Sequence, residues 1–207
     1  RKSEMAQKKD SQDRIIEAAT QLMWRYGYDA VSVDAICNAS EFQKGSFYYA
    51  FPSKEHMLIA MIEKVWETDK ALIAEIYRSD KGSVEKFRDH LNWFGLYQKR
   101  LFEKYGYVHG IFNMAIGINA PPSALEVIGK ARDEHKLILT ESLTAVLHEL
   151  AMDTRDVDWW LGIISQLIVG VTIDARLGNT LEPFDGLTDS VFRLLEHGRR
   201  SALYAGE

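Results

Sequence analysis

The sequence predicts an all-α protein, and three observations lead to that fold class. Apolar residues recur at helical intervals of three and four along most of the 207-residue chain. No stretch alternates apolar and polar residues between turn signals, as a half-buried strand does. All four prolines fall at or just outside the ends of helical segments, where proline is tolerated. A hydrophobic fraction of 46% is enough for the core of one large domain or of two joined domains.

Start and stop residues set the bounds of the first four helices. We expect these helices over, in chain order, residues 11–26, Ser32 to about Asn38, about Gln43 to Ala50, and Lys54 to about Tyr77. The residues that favour helix starts are Asp10 or Ser11, then Ser32, then Ser53. Gly27 stops the first helix, and Phe51-Pro52 closes the third. One apolar side of the fourth helix is formed by Met57, Met61, Val65 and Leu72.

The rest of the chain continues the helical pattern. Ser83 caps a fifth helix, whose register is marked by Phe87, Leu91, Phe94, Gln98 and Leu101. Gly106 breaks that pattern. The remaining helices are expected over roughly Val108 to Ile118, Pro122 to about Ala151, Asp153 or Thr154 to about Gly178, and about Gly186 to Tyr204. The total is about nine helices.

The penultimate helix has almost no polar face between Val157 and Leu177. A helix that is apolar all round needs cover on every side. Gly162, Ser165 and Gly170 would let another helix approach closely. We therefore favour a homodimer formed through the last two helices. The alternative is a central helix that is wrapped entirely by its own chain.

Composition excludes several classes of protein. A single cysteine, Cys37, rules out an internal disulfide and fits a reducing cytoplasm. The first residues are polar throughout, unlike a secretory signal, and apolar runs such as Leu167–Ile173 are too short to cross a bilayer. The net charge is −5, of which residues 1–54 carry +1 and the remainder −6. This distribution permits contact with DNA through the N-terminal part and disfavours indiscriminate DNA binding by the rest.

The segment Tyr28–Lys54 is the most informative part of the chain. It places two short helices, a tight connection and an aromatic-rich second helix within fewer than thirty residues. Four apolar residues can close a small core: Ile36, Phe42, Phe47 and Phe51. The residues that remain for the surface are polar or cationic, and include Lys44, Ser46, Tyr48, Tyr49 and Lys54. This arrangement suits a helix laid in the major groove of DNA with flanking groups on phosphates.

These residues resemble the helix-turn-helix of TetR-type transcriptional regulators. The matching positions are Ile36, Lys44-Gly45-Ser46-Phe47-Tyr48, Phe51 and Lys54. Beyond about residues 10–60 the chain is similar to that family only in helix number, length and order. The resemblance implies a three-helix DNA-binding domain over 10–56 and a larger ligand-binding and dimerisation domain over 57–207. It also implies a homodimer whose interface is formed by the last two helices.

The resemblance assigns DNA-binding roles to seven residues: Ser32, Lys44, Gly45, Ser46, Tyr48, Tyr49 and Lys54. Ser46 and Tyr49 would reach bases, while Lys44, Tyr48 and Lys54 would hold phosphates. Gly45 would let the backbone come close to the DNA, and Ser32 would begin the helix that crosses the DNA backbone.

Three positions depart from the family pattern. Glu41 stands where glycine is usual, so a positive φ would cost about 1 kcal/mol and a negative charge would lie near DNA. Gln43 replaces a better N-cap. Ala50 replaces a histidine that would supply a phosphate contact.

The sequence contains no recognisable catalytic motif. The spacings of a nucleophile elbow, a dinucleotide-binding loop and a phosphate-binding loop are all absent. The six histidines never fall at metal-binding spacings within one helix, and His109 and His135 are interpreted as core-edge or pocket groups. We therefore expect no enzymatic activity, no metal and no cofactor.

A ligand pocket has more support in the sequence. Aromatic residues are frequent beyond the turn motif, and two amides stand among apolar neighbours, where a buried amide needs a partner. The candidate ligand-binding residues are Trp66, Trp93, Tyr97, Phe112, Asn113 and Gln166. Such a set would suit a flat, mostly apolar molecule. The alternative is that these aromatics simply fill the core.

The sequence therefore predicts a cytoplasmic, ligand-responsive regulator that binds a palindromic double-stranded DNA operator as a homodimer, most simply as a repressor. Its partners would be DNA, a small-molecule effector and a second copy of the chain, and no membrane. One alternative is an all-α small-molecule-binding protein or enzyme with a purely structural turn motif. Another is an interaction module built around the helix at Val157–Leu177.

Overall fold

The computed structural model describes residues 2–109 and 119–204. These residues form eight α-helices: α1 (Lys2–Tyr26), α2 (Val33–Ser40), α3 (Lys44–Ala50), α4 (Lys54–Arg78), α5 (Ser83–Tyr105), α6 (Pro122–Glu149), α7 (Val157–Gly178) and α8 (Leu187–Tyr204). Short 3₁₀ turns at Thr154–Asp156 and Glu182–Phe184 precede α7 and α8. The described ranges contain no strand, and the all-α prediction is confirmed. The helix expected over Val108–Ile118 lies almost wholly outside the described residues.

Two predicted helix starts are wrong. α1 begins at Lys2, well before the expected caps, because the preceding stretch contains neither glycine nor proline and is rich in good helix formers. α5 is capped by Gly82 rather than by Ser83. The Glu149 carboxylate accepts hydrogen bonds from the backbone N–H of Ser83 at 2.8 Å and of Val84 at 3.3 Å. That cap comes from a residue 66 positions away, so local sequence does not reveal it.

The predicted helix ends are confirmed where the backbone adopts a positive φ. Gly27 (φ 83°) follows α1 and Gly106 (φ 74°) follows α5, and glycine adopts this conformation without a steric cost. α7 ends at Gly178, as predicted, and is followed by Asn179 (φ 46°), whose side-chain oxygen accepts from the N–H of Val108 at 3.1 Å. Its amide nitrogen also donates to the carbonyl of Gly106 at 3.3 Å. Asn179 thereby ties the ends of α5 and α7 together.

The chain divides into two compact units that are each discontinuous in sequence. The first unit takes Arg1–Asp69 and His109–Arg132, and the second takes Lys70–Val108 and Asp133–Glu207. α4 and α6 therefore each contribute residues to both units. The division into a DNA-binding domain over 10–56 and a ligand-binding domain over 57–207 stays a functional prediction.

The core of the first unit is built around α1, α2 and α3. Its fully buried side chains include Ile15, Met23, Ile36, Phe47, Met57 and Leu58. The Gln12 side chain donates to the carbonyl of Ala50 at 3.1 Å and so joins α1 to the end of α3. Every apolar position predicted for the small helix-turn-helix core is buried except Phe42, which is half-buried.

The second unit packs α5, α7, α8 and the later part of α6 around one apolar cluster. Its buried members include Phe87, Leu91, Leu143, Leu147, Trp160, Ile164, Val191 and Leu195. Leu72, which the periodicity of α4 places with Met57 and Met61, is 40% exposed instead. The helical pattern identifies a stripe, but tertiary packing decides how much of that stripe is covered.

α7 presents two different faces. Trp160, Leu161 and Ile164 are buried in the second unit, whereas Ile173 is 41% exposed and Leu177 is 82% exposed.

By length and composition alone, Thr154–Gly178 could also cross a membrane, contrary to the expectation that apolar runs are too short. The core helix of a soluble protein passes the same test, so this property is weak evidence for a membrane.

Candidate functional site

The turn between α2 and α3 is fixed by side chains on both sides. Ser32 caps α2 as predicted, because its Oγ accepts from the backbone N–H of Ala35 at 3.1 Å. Glu41 ends α2 in the left-handed conformation (φ 61°, ψ 28°), as expected where the family pattern has glycine. Arg14 of α1 donates to the carbonyl of Ser40 at 3.2 Å, and its guanidinium lies 4.7 Å from the Phe42 ring centre. α1 thus supports the strained turn.

Replacing Glu41 by glycine should stabilise the protein by about 0.5–1 kcal/mol, because the strain of a positive φ disappears. The Arg14–Glu41 ion pair at 3.5 Å offers little to lose, since both side chains are largely exposed. Urea denaturation of the two proteins measures the difference. Glu41→Ala is the matched control, because it removes the carboxylate and keeps the strain; equal stability of the two variants would contradict this interpretation.

α3 buries one side and exposes the other. Phe47 is fully buried and Ala50 is 6% exposed, whereas Tyr48 is 53% exposed and Tyr49 is 64% exposed. A Cβ added to Gly45 would meet no atom within 4 Å. The outward surface is therefore formed by Gly45 and the two tyrosines, with Ser46 half-buried beside them. Because position 50 points inward, a larger side chain there would first have to fit the core.

The first turn of α3 lacks a side-chain cap. Gln43 occupies the N-cap position and makes no capping hydrogen bond, as expected for this residue. Lys44 forms an ion pair with Asp34 at 2.8 Å, and both side chains are about 60% exposed. Such an exposed pair is weak, so Lys44 can leave Asp34 at small cost.

Lys54 makes internal contacts that the sequence did not reveal. Its ammonium donates to the carbonyl of Tyr28 at 2.8 Å and of Val31 at 2.9 Å, and lies 3.9 Å from the Tyr28 ring centre. Burial lowers the pKa of Lys54. Two of its three N–H donors are therefore used to tie the start of α4 to the connection between α1 and α2. Its predicted phosphate contact stays a prediction that relies on the remaining donor.

The predicted ligand-binding residues that the structure describes are divided between the two units. Trp93 and Tyr97 stack within the second unit, with ring centres 5.4 Å apart, whereas Trp66 belongs to the first unit, where it is 8% exposed. Gln166 is exposed on α7, so the expectation of a buried amide there is wrong. Phe112 and Asn113 lie outside the described residues.

A partly buried hydrogen-bond chain runs beside the stacked aromatics in the second unit. The Tyr77 hydroxyl lies 2.8 Å from His90 Nδ1, and His90 Nε2 lies 3.2 Å from His135 Nε2. Burial lowers the pKa of His90 to about 3, with a smaller contribution from His135, and burial lowers the pKa of His135 to about 4. Burial also raises the pKa of Tyr77. All three groups are therefore uncharged at neutral pH.

Gln98 is the buried amide that sequence reasoning overlooked. Its side chain is 1% exposed, and its Oε1 accepts no hydrogen bond from the residues that the structure describes. The signal was present in the sequence, because Gln98 falls in the apolar register of α5 with Phe87, Leu91 and Phe94. A polar residue that falls in the apolar register of a helix is a better candidate for a buried amide than one in a uniformly apolar stretch such as α7.

Among the described residues, no group of three or more histidine, cysteine or carboxylate side chains could hold a metal ion. The single cysteine, Cys37, is buried in α2.

Comparison with known proteins gives a consistent result. Residues 15–61 match the family model described as bacterial regulatory proteins of the tetR family. The chain is 28% identical over 115 residues to an uncharacterised HTH-type transcriptional regulator of the lacX 3′ region in Lactococcus lactis subsp. lactis, covering 54% of this chain and 57% of that protein. It is 26% identical over 109 residues to the HTH-type transcriptional repressor NemR of Escherichia coli K12, covering 52% of each.

The chain thus spans about half the length of these curated relatives. The likeness in fold extends further. The crystal structure of the regulatory protein TetR from Rhodobacter sphaeroides superposes with a TM-score of 0.76 at 18% identity, covering 88% of this chain and 97% of that one. The sequence match contains the helix-turn-helix built on α2 and α3, and the fold likeness includes the helices that follow. Residues 15–61 therefore carry the N-terminal domain of the tetR family of bacterial regulatory proteins.

Proposed function

We propose that this chain is a transcriptional repressor that binds a palindromic DNA operator as a homodimer and is released by a small, largely apolar or aromatic effector. One observation carries the proposal. α3 is anchored by the fully buried Phe47 while Gly45, Tyr48 and Tyr49 face outward on the same short helix. A rigid helix with an open polar face is what major-groove reading requires.

The DNA contacts follow from the chemistry of that face. Ser46 and Tyr49 carry hydroxyl groups that can donate to or accept from base edges. Tyr48 and Lys44 would hold phosphates on either side, and the Cα of Gly45 would allow close approach of the backbone. Lys44 gives up an exposed ion pair with Asp34 when it does so. The mild positive charge of residues 1–54 makes affinity depend on these specific contacts rather than on bulk attraction.

The exposed face of α7 supports the homodimer. Gly162, Gln166, Gly170, Ile173 and Leu177 follow one another at intervals of three and four and so share one side of the helix. Cβ atoms added to Gly162 or Gly170 would meet nothing within 4 Å, which leaves room for a second helix. An exposed apolar stripe of this kind marks an interaction surface, and a two-fold axis would pair it with its own copy.

Effector release requires two conformers with different affinities for DNA. In the binding conformer the two copies of α3 must lie about 34–36 Å apart to enter successive major grooves. An effector that prefers another conformer weakens DNA binding, and by linkage DNA weakens effector binding by the same factor. Such a protein works in the cytoplasm and needs no catalytic group. The relatives are named as regulators, which favours this role over that of an enzyme.

Gly45→Ala is the sharpest test of the DNA-binding role. The variant should be more stable by about 0.5–1 kcal/mol, because alanine is the better helix former and its Cβ meets no atom. Its affinity for DNA should nevertheless fall at least about tenfold, or about 1.4 kcal/mol, because the methyl group holds the backbone away from the groove. Gel-shift titration against the DNA upstream of the chain's own gene measures that affinity, and urea denaturation measures stability.

Gly129→Ala is the matched control. It makes the same change in the interior of α6, also with no atom within 4 Å of the new Cβ, and should leave DNA affinity unchanged. Sedimentation of the free wild-type protein should give a dimer. Absence of any specific shift at low salt would reject the repressor and favour a small-molecule-binding protein with a structural turn motif.

A further inference from the structure

The two helices of the helix-turn-helix carry a net negative charge, which is unexpected for a surface that meets DNA. Residues 32–50, from the cap of α2 to the end of α3, contain one cation, Lys44, and two carboxylates, Asp34 and Glu41, so their net charge is −1. DNA phosphates are held mainly by lysine and arginine. The acidic residues of this motif therefore oppose DNA binding.

Asp34 holds the lysine that the motif offers to DNA. It lies in the first turn of α2, and its Oδ1 is 2.8 Å from Nζ of Lys44, the first residue of α3. The hydrogen bond to Asp34 raises the pKa of Lys44, so this lysine is a full cation at neutral pH. The ion pair bridges the first turns of the two helices and cancels the positive charge of Lys44. A carboxylate at this position also offsets the partial positive charge at the start of α2.

Two neighbouring cations are held in a different way. Lys54 donates to two backbone carbonyls, which are uncharged and leave its positive charge in place. Arg14 donates to the carbonyl of Ser40 at 3.2 Å and lies 3.5 Å from the Glu41 carboxylate. Of these three cations, Lys44 lies closest to a carboxylate. Removal of Asp34 should therefore release more positive charge for DNA than removal of Glu41.

We propose that Asp34 is an intramolecular competitor of DNA, which holds Lys44 in the free protein, loses it to a phosphate in the complex, and so lowers the affinity for DNA of any sequence. This inference rests on the proposed function, because it requires α3 to meet DNA. The ion pair must be broken, and a bare carboxylate is then left near phosphates. Both effects concern the DNA backbone, so neither reads sequence. With a lowered affinity, an effector needs a smaller preference between conformers to release the DNA.

Asp34→Asn removes the charge and keeps the shape of the side chain. At about 0.1 M salt it should bind the DNA upstream of the chain's own gene about three- to tenfold more tightly than the wild type, roughly the effect of one further charge contact. A scrambled duplex of equal length should also be bound more tightly, by no more than this factor. Gel-shift titration of the full chain measures both affinities. Urea denaturation should give nearly equal midpoints, because the pair is exposed.

Asp13→Asn is the matched control, because Asp13 forms a similar exposed pair with Lys64 of α4 at 2.7 Å. The substitution makes the same change in the net charge of the protein. Lys64 lies ten residues beyond the start of α4, which is about 15 Å along the helix axis. We therefore expect Asp13→Asn to change the affinity for either duplex by less than about twofold, because salt screens charges at such separations.

Lys44→Met, made in the wild type and in Asp34→Asn, shows whether Asp34 and Lys44 compete or cooperate. If DNA takes the lysine from Asp34, its loss should weaken DNA binding more in Asp34→Asn, by about twofold or more, because no pair has to be broken there. If Asp34 positioned Lys44 for a phosphate instead, the loss would be larger in the wild type. The sign of this difference separates the two roles.

Three results would overturn the inference: no gain of affinity in Asp34→Asn, an equal gain in Asp13→Asn, or a larger effect of Lys44→Met in the wild type. The wild-type gel shifts keep these outcomes separate from the proposed function. A wild type that binds operator DNA no more weakly than Asp34→Asn rejects the competitor only. A wild type that shifts neither duplex rejects the repressor.

Discussion

Gly198→Ala should lower the free energy of unfolding by about 1–3 kcal/mol, which is the usual cost of overpacking a core. A Cβ at position 198 of α8 would lie 2.5 Å from Trp160 Cζ2 and 2.7 Å from Cη2. The Trp160 indole is only 7% exposed and packs edge-on against Trp159, with ring centres 4.8 Å apart. Because this ring belongs to the apolar cluster, it cannot move aside without disturbing the contact between α7 and α8.

Urea denaturation and thermal melting measure this loss, which for a chain of this length corresponds to a decrease of roughly 3–10 °C in Tm. Gly95→Ala is the control, because its Cβ would lie 4.0 Å from the Cβ of Phe184, an ordinary contact. That variant should be neutral or slightly stabilising. Trp160→Leu in the Gly198→Ala background should recover part of the loss, since the two side chains compete for one space. Equal stability of the two alanine variants would contradict the close packing.

Asp69→Asn should stabilise the protein at pH 8 by about 1–3 kcal/mol and have no effect near pH 4. Burial raises the pKa of Asp69 to about 7, far above its ordinary value of 3.8. A folded-state pKa above the unfolded one stabilises the protein at low pH, where the carboxyl is protonated in both states. That contribution is lost as the pH rises from about 4 through about 7, and the asparagine variant has no such loss.

The pKa values of His90 and His135 are shifted downwards, opposite to that of Asp69, and this provides an internal check. The folded-state pKa values of His90 and His135, about 3 and about 4, lie below the ordinary value of 6.5. Their contribution is present above pH 6.5 and is lost as the pH falls towards 4. In Asp69→Asn only the contribution of the two histidines should remain, so the free energy of unfolding should fall steadily as the pH decreases below 6.5. Urea denaturation midpoints of the wild type and Asp69→Asn, measured between pH 4.5 and pH 8, test this prediction. Parallel pH profiles of the two proteins would reject a buried, protonated Asp69.

Local signals in the sequence predicted much of the fold and of the outward surface of α3. Ser32 caps α2, Gly106 ends α5, and Glu41 adopts a positive φ, each for a reason that a few neighbouring residues determine. The same is true of α3, where the apolar spacing separates the buried Phe47 from the exposed Tyr49. These features depend on caps, stops and periodicity, all of which act over one or two helical turns.

Contacts between distant residues could not be predicted in this way. Glu149 caps α5 from 66 positions away, and Lys54 binds carbonyls 26 and 23 positions before it. The histidine pair joins α5 to α6 across 45 positions, at spacings that no metal or catalytic motif describes. The apolar composition of α7 suggests a buried amide at Gln166, whereas the fold leaves this side chain exposed. Helix patterns identify faces, and only the packing decides which face is covered.

The contacts of Lys54 determine how motion can travel within the first unit. Its ammonium donates hydrogen bonds to two carbonyls of the α1–α2 connection, and these bonds hold the first turn of α4 against that connection. Glu55, the next residue, also receives a hydrogen bond from Ser123 at the beginning of α6. The start of α4 is thus joined both to the α1–α2 connection and to the start of α6, so we expect a displacement of one of these segments to move the others with it.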